Sequence, residues 1–458
     1  MKKIYLFLMA SFIATSAMLF SSCDDFTGDG SQDGSESLDG SLDSGKPVPT
    51  TSEEQKKRLE EVAISFSNEM AASNIQETAD LAKYIKDTYV LGEFDNSELF
   101  AWADSCLDAI SSTFTGEDED TYGVPTKYYE SLYKASNFKG RFEAKDNAWE
   151  FTEADDLSFT VKDGNGVSCT LRLTTEGKTK TVHAFNDYNW DSVYDENGLW
   201  IGETKEEYEI NIEIPEKIVL TLQQGTTILV KFTLNTDLSS IKGDKFDVSK
   251  DQVNITSEFQ FEDYSIKLEK LKYAPGAAST VKASFKKGSK TLIEGLLTAK
   301  VNASDEEIIS STDNNLDIII MNEIRVKGNI AVDAVELQSK MDSAWYFDDN
   351  EEELKRLIDE VNPHLNIGLY YSDTDEPSAE FKYKATYRDY DYGYGEWYPA
   401  EAIVFDDGTS YIIEEFFNEE DFKQLLNTID TMIKEYCELV GIEQEEEDYI
   451  ENGGEIEY

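Results

Sequence analysis

Histidine is nearly missing from this chain: His183 and His364 are the only two in 458 residues. That removes most acid–base and metal-ligand options, because histidine is the side chain that titrates near neutral pH and most often binds metals. His183 falls in an alternating strand pattern, Thr181 to Phe185, and His364 follows Pro363 at a helix exit. Both positions suit structural or surface roles. Cysteine is scarce too, with only Cys23, Cys106, Cys169 and Cys437. The last three cannot all pair, and their apolar surroundings read as small buried hydrophobes, with a single disulfide between two of them left open. The chain holds no Cys-x-x-Cys pair, no Gly-x-Ser-x-Gly elbow and no His-Glu-x-x-His helix. Thiol redox, serine hydrolase and zincin chemistry therefore lack their signatures.

Positive charge is the third shortage. Against 94 acidic residues stand 41 basic ones, for a formal net charge of −53 and a pI near 4.2. Such a balance repels phosphate backbones and anionic bilayers, so nucleic acid is excluded as a partner. It serves solubility and repulsion between crowded surface proteins, or binding of divalent cations. Aromatics, in contrast, are plentiful: 25 Tyr and 24 Phe supply a substantial core.

Apolar residues open the chain. Lys2 and Lys3 precede a run from Ile4 to Phe20, followed by Ser21, Ser22 and Cys23. A basic start, a short apolar core and small residues before a processing site mark a secretory signal rather than a stable span. Seventeen residues are also marginal for about 30 Å of hydrocarbon. Phe20-Ser21-Ser22-Cys23 is similar to a bacterial lipobox, in which the cysteine is acylated and becomes the first mature residue. It departs from that pattern in Phe20, where an aliphatic residue is usual. The alternative is an ordinary cleaved signal with an incidental Cys23. Several acyl chains on Cys23 would anchor the protein stably, whereas one gives marginal binding.

Asp24 to Lys46 consists of Asp, Gly and Ser with almost nothing apolar, and is expected to be a flexible spacer. An acidic run directly after the lipidated cysteine resembles the export signal of surface lipoproteins in the Bacteroidales, which implies an outer-membrane anchor and cell-surface display. Gly40 to Lys46 nearly spells a phosphate-binding loop, but Pro47 replaces the metal-holding Ser or Thr and no strand precedes it.

Periodicity divides the rest and predicts an α+β fold. Residues 1–22 are the signal peptide, and 23–50 the lipidated cysteine and spacer. A helical region covers 51–136, with Ser52 and Gln55 forming a capping box and Leu59, Val62, Phe66 and Met70 on one face. A second helix there carries Ala79, Ala82, Ile85 and Tyr89, and a third Leu99, Trp102, Cys106 and Ile110. From 137 to 332 the period becomes two, with hairpin turns at Asp163-Gly164-Asn165-Gly166, Gln223-Gln224-Gly225 and Gly288. Strand after strand without helices predicts a large, curved antiparallel meander. The region 333–442 mixes helices capped by Asp333 and Asn350 with strands near 365–371, 379–387, 402–405 and 410–413. It ends in a long amphipathic helix with Asn418 as N-cap and Phe417 stapled onto Phe422. Residues 443–458 form an acidic tail.

Two stretches carry candidate sites. Asp187, Asn189, Asp191 and Asp195 have the odd spacing of a calcium loop, with Val193 able to offer its carbonyl. Ser192 replaces the turn glycine, however, and Gly198 stands in place of the bidentate Glu. The competing reading is a solvated loop whose aromatics pack back onto the sheet. The second stretch, Tyr387 to Tyr398, places Tyr390, Tyr392, Tyr394 and Trp397 beside Asp389 and Asp391. Rings beside carboxylates suit stacking on sugars and hydrogen bonds to their hydroxyls; the competing reading is a tyrosine-rich strand turn. No catalytic residues are assigned and no cofactor is expected beyond Ca2+ at the first stretch.

The signal and acidic spacer, the opening Pro49-Thr50-Thr51-Ser52-Glu53-Glu54-Gln55, the hairpin run and the Phe-Phe-Asn-Glu-Glu-Asp-Phe helix start resemble a group of Bacteroidales lipoproteins of unassigned activity. The resemblance implies location and an α+β body, and brings no catalytic residues. The expectation is a non-enzymatic surface lipoprotein that binds an extracellular ligand, with a glycan as the candidate, or that serves as an interaction or scaffold protein. The alternatives are a carboxylate-dependent hydrolase such as a glycosidase, or a carrier of apolar ligands.

Overall fold

The computed structural model describes residues 38–42, 45–88, 125–134, 139–145, 148–194, 199–243, 246–247, 249–304, 307–344, 350–390, 394–417 and 421–440. The signal, Cys23, the third helix with Trp102 and the acidic tail lie outside the described residues.

Helix α1 (Ser52–Glu69) begins one residue before the expected box. Thr51 is the N-cap, its Oγ accepting from the Glu54 amide at 3.3 Å. The Glu54 carboxylate in turn accepts from the Thr50 amide at 2.8 Å, and these contacts hold its pKa below the ordinary range. The cap is thus made by Thr51, with Glu54 reaching one residue further back to Thr50, and Ser52 is buried inside the helix. A 3-10 turn (Ala72–Ile75) leads into α2 (Gln76–Thr88).

The body is mostly β; among the described residues the strands form one mixed sheet of 17. They are β1 (Pro125–Tyr133), β2 (Gly140–Lys145), β3 (Ala148–Thr152), β4 (Leu157–Lys162), β5 (Ser168–Tyr194), β6 (Trp200–Gln224), β7 (Thr227–Asp237), β8 (Val253–Phe261), β9 (Tyr264–Tyr273), β10 (Ala278–Lys287), β11 (Lys290–Ser304), β12 (Glu307–Ile320) and β13 (Ile324–Ile330). After α3 (Ala334–Asp342) and α4 (Glu351–Val361) come β14 (Leu365–Tyr370), β15 (Ala379–Tyr390), β16 (Tyr394–Phe405) and β17 (Ser410–Ile412). The short α5 (Ile413–Phe416) and then α6 (Lys423–Val440) complete the order. From β4 to β17 each strand pairs antiparallel with the next. The expected turns at Gly166, Gly225 and Gly288 join β4 to β5, β6 to β7 and β10 to β11, each glycine at positive φ.

Two ladders break the all-antiparallel expectation. β1, which falls within the stretch expected to be helical, pairs parallel with residues 205–212 of β6. β2 pairs antiparallel with β3 and parallel with β4, so the chain crosses back over β2 after the hairpin. Alternation reports that a segment is extended; it carries no information on the partner's direction.

In the C-terminal half one face carries the helices. Leu59 and Val62 of α1 and Phe422, Leu425 and Ile429 of α6 share a core with Ile318, Ile320, Val326, Leu369, Phe381 and Ile403. Each such side chain contributes about 1.5–3 kcal/mol relative to exposure. The Phe417 and Phe422 rings meet at 5.1 Å, as the staple requires, although the helix itself begins only at Lys423. Asp333 and Asn350 cap α3 and α4 as expected. A second core runs through the middle strands, around Val182, Ile212, Ile218, Ile255 and Tyr273, roofed by Ile241 and Phe246 of the β7–β8 connection. Cys169 is buried and free, its thiol pushed up by burial.

The opposite face holds a correction to the expected spacer. Leu38 and Leu42 are 4% and 9% exposed, packed on Leu296, Ile319 and Tyr370. Residues 38–42 lie across the sheet as a strap, so the last part of the supposed spacer belongs to the body. A window of Asp, Gly and Ser hides this, because two leucines four residues apart barely change its composition.

Candidate functional site

The longest element is the β5–β6 hairpin, with strands of 27 and 25 residues, which at about 3.3 Å per residue is roughly 80 Å long. Its proximal half joins the meander through β4 and β7, and β1 runs along the distal half of β6. Three bulges adjust the twist along this length, two in β5 and one in β6, at Ile201 opposite Val193 and Tyr194. Tyr194 and Trp200 face each other across the last register position. They are 58% and 59% exposed, and neighbouring Leu199 is 67% exposed. Exposed apolar side chains grouped in one place, rather than scattered singly, mark an interaction site.

This end absorbs the expected calcium stretch. Asp187, Asn189 and Asp191 are not in a loop but in β5, opposite Tyr208, Glu206 and Thr204. An extended backbone sets alternate residues about 6.6 Å apart, whereas a calcium loop coils to bring its ligands round one ion. Asp195 lies outside the described residues. Among the described residues, no group of three or more His, Cys, Asp or Glu side chains comes together for a metal. Of the aromatics in this stretch, Tyr194 and Trp200 stand exposed rather than packed on the sheet. Sequence reasoning placed them in the stretch but missed their exposure, which follows from hairpin pairing that continues to its last residues. His183, on the same strand, sits 3.5 Å from the Glu209 carboxylate through Nδ1 and is nearly buried.

The second aromatic stretch is the end of the β15–β16 hairpin. Tyr390 pairs with Tyr394, Asp389 with Gly395, and Tyr387 with Trp397; Asp391 and Tyr392 lie outside the described residues. Trp397 is half-buried against Leu354 and Ile358 of α4, with the Lys355 ammonium 5.9 Å from its ring. The Tyr387 ring, half exposed, lies 5.3 Å from it. The Arg388 guanidinium covers Tyr398 at 4.4 Å. Trp397 is thus spent on packing, whereas Asp389 is exposed beside the hairpin end.

Electrostatics elsewhere is structural. Lys290 and Lys287 hold Glu69 below the ordinary carboxylate range at the end of α1. Burial opposes ionisation of Asp156, yet Arg141 and Arg172 still hold it low. Among the described residues no helix is long and apolar enough to cross a membrane. No family profile, curated protein or solved structure matches the chain.

Proposed function

We propose that the protein is a lipoprotein anchored in the outer membrane through Cys23, displayed at the cell surface, that binds an extracellular ligand without converting it. Its body is an α+β platform built on a curved sheet, and its ligand is a glycan. The observation that carries this reading is the exposed Tyr194–Trp200 pair at the end of the long hairpin. Flat amphipathic rings held on strands offer stacking area at low conformational cost, with polar edges for hydroxyls. The end of the β15–β16 hairpin, with Asp389 exposed beside it, is a second stretch rich in tyrosine.

Calorimetry of the wild-type protein against host mucin glycans and plant polysaccharides tests the binding. Trp200→Ala should weaken it at least about tenfold, in line with the loss of one stacking residue, while the melting temperature stays within about 1 °C. A wild-type protein that gives no response to either ligand class removes the glycan reading. Anchoring is tested separately: palmitate labelling should disappear in Cys23→Ala, and protease added to intact cells should digest the protein. Protection until lysis would contradict surface display while leaving the anchor intact.

A further inference from the structure

The strap of residues 38–42 is held by more than its leucines. The Leu38 amide donates to Asp317 Oδ2 at 3.0 Å, and the Leu42 amide donates to both oxygens of Asp373 at 3.1 Å. Arg325 donates from Nη2 to the Leu38 carbonyl and from Nη1 to the Gly40 carbonyl, each at 3.3 Å. Arg325 is itself fixed by a two-point pair with Asp317, Nε to Oδ1 at 2.7 Å and Nη2 to Oδ2 at 2.5 Å. Both side chains are nearly buried, at 13% and 11% exposure. The site reads main chain: two carboxylates take its amides, a guanidinium takes its carbonyls, and Leu296, Ile319 and Tyr370 take two leucines at i and i+4. Gly40 lets the backbone come close, since a Cβ there would stand 2.7 Å from Ile319 Cδ1.

We infer that this strap is a latch on the membrane tether, setting how far the body can stand from its lipid anchor. The docking stands on its own contacts; the height control rests on the reading that Cys23 carries lipid. With the strap docked, the tether is the 14 residues from Asp24 to Ser37, which span at most about 50 Å. Released as far as Lys46, the next residue tied to the body by its ion pair with Glu323, the tether gains eight residues and about 27 Å of maximum reach. A coil gains less, about 5 Å in mean extension.

Hydrogen exchange on the full lipidated chain tests the docking. Amides of residues 38–42 should exchange slowly in the wild type. Leu38→Ser with Leu42→Ser, which leaves every residue of the sheet in place, should speed them at least about 100-fold, as expected from losing two buried leucines. Asp373→Ala, which removes only the half-exposed acceptor for Leu42, should speed that amide about tenfold. Neutron reflectometry of the same proteins on a phosphatidylcholine bilayer then measures the gap between headgroups and body. The gap should widen in the double variant by about 5 to 27 Å. Fast exchange at 38–42 in the wild type overturns the docking. Lost protection with an unchanged gap overturns the latch. A wild-type chain that does not attach to the bilayer at all overturns the anchor reading and with it the height control, while the exchange result still decides the docking.

Discussion

At the residue scale, the sheet's close approaches decide which positions tolerate change. A Cβ on Gly328 would lie 1.9 Å from the Asn366 carbonyl oxygen and 2.6 Å from Ile367 Cα, both backbone atoms of the neighbouring strand. Gly288, at φ +54 in the β10–β11 turn, faces open space. Gly328→Ala must therefore push two strands apart and should cost about 3 kcal/mol or more, whereas Gly288→Ala should cost about 1 kcal/mol for the left-handed backbone alone. Urea unfolding of the two variants orders them. Phenols give a second residue-scale test. Burial pushes Tyr383 up to about 12, and pushes Tyr273 and Tyr371 higher still. Their folded values exceed the ordinary value of 10, so the stability they contribute is complete below pH 10 and is lost as pH rises through the folded values. Absorbance at the tyrosinate band should show a set of phenols that ionise only together with loss of the near-ultraviolet dichroism. Smooth titration of all tyrosines near pH 10 in the folded protein would contradict the burial.

At the element scale, local signals in the sequence were strong wherever one turn or one helix end decided the matter. The Asn350 side chain accepts from the Glu353 amide at 3.2 Å, with Leu354, Ile358 and Val361 buried behind it, and both facts are legible from spacing alone. Asn350→Ala should cost about 1 kcal/mol, while Asn350→Asp should be nearly neutral; thermal melts of the pair check the cap against a general surface effect. Three acids in the first turn, Glu351 to Glu353, already favour the positive end of this helix. Partnership was less legible. Nothing in Pro125–Tyr133 announces that it pairs with a strand some eighty residues later, and the carboxylate spacing of Asp187, Asn189 and Asp191 suits a loop until the backbone is known to be extended. The aromatic stretches were found by composition, but which rings face solvent depends on α4 covering Trp397 and on nothing covering Trp200 among the described residues.

At the scale of the whole molecule, two electrostatic effects oppose each other. The net charge of −53 at pH 7 makes the folded state repel itself. Glu69, Glu258 and Asp247 are held below the ordinary range mainly by bonds from Lys290, Lys267 and Lys250. Because their folded values are depressed, these carboxylates contribute stability above the ordinary range, and it is lost as pH falls through the folded values. Moving from pH 8 towards 5 relieves repulsion before those pairs are lost, so the melting temperature should rise and then fall below about pH 4. Half-molar salt should raise it more at pH 8 than at pH 5, since screening acts on the repulsion. Calorimetric scans over both variables measure this; a melting temperature that is highest at pH 8 in low salt would show that self-repulsion is unimportant.

The packing of α1 against α6 also orders events in time. Leu59 and Val62, near the start of the body, are covered by Leu425 and Ile429, near its end. From β4 to β17 the strands between them pair neighbour with neighbour and can assemble in chain order. The first helix cannot find its partner until the last has formed. The closing step of folding is thus the arrival of residues 423–440, and until then the chain carries an uncovered apolar stripe around Leu59 and Val62.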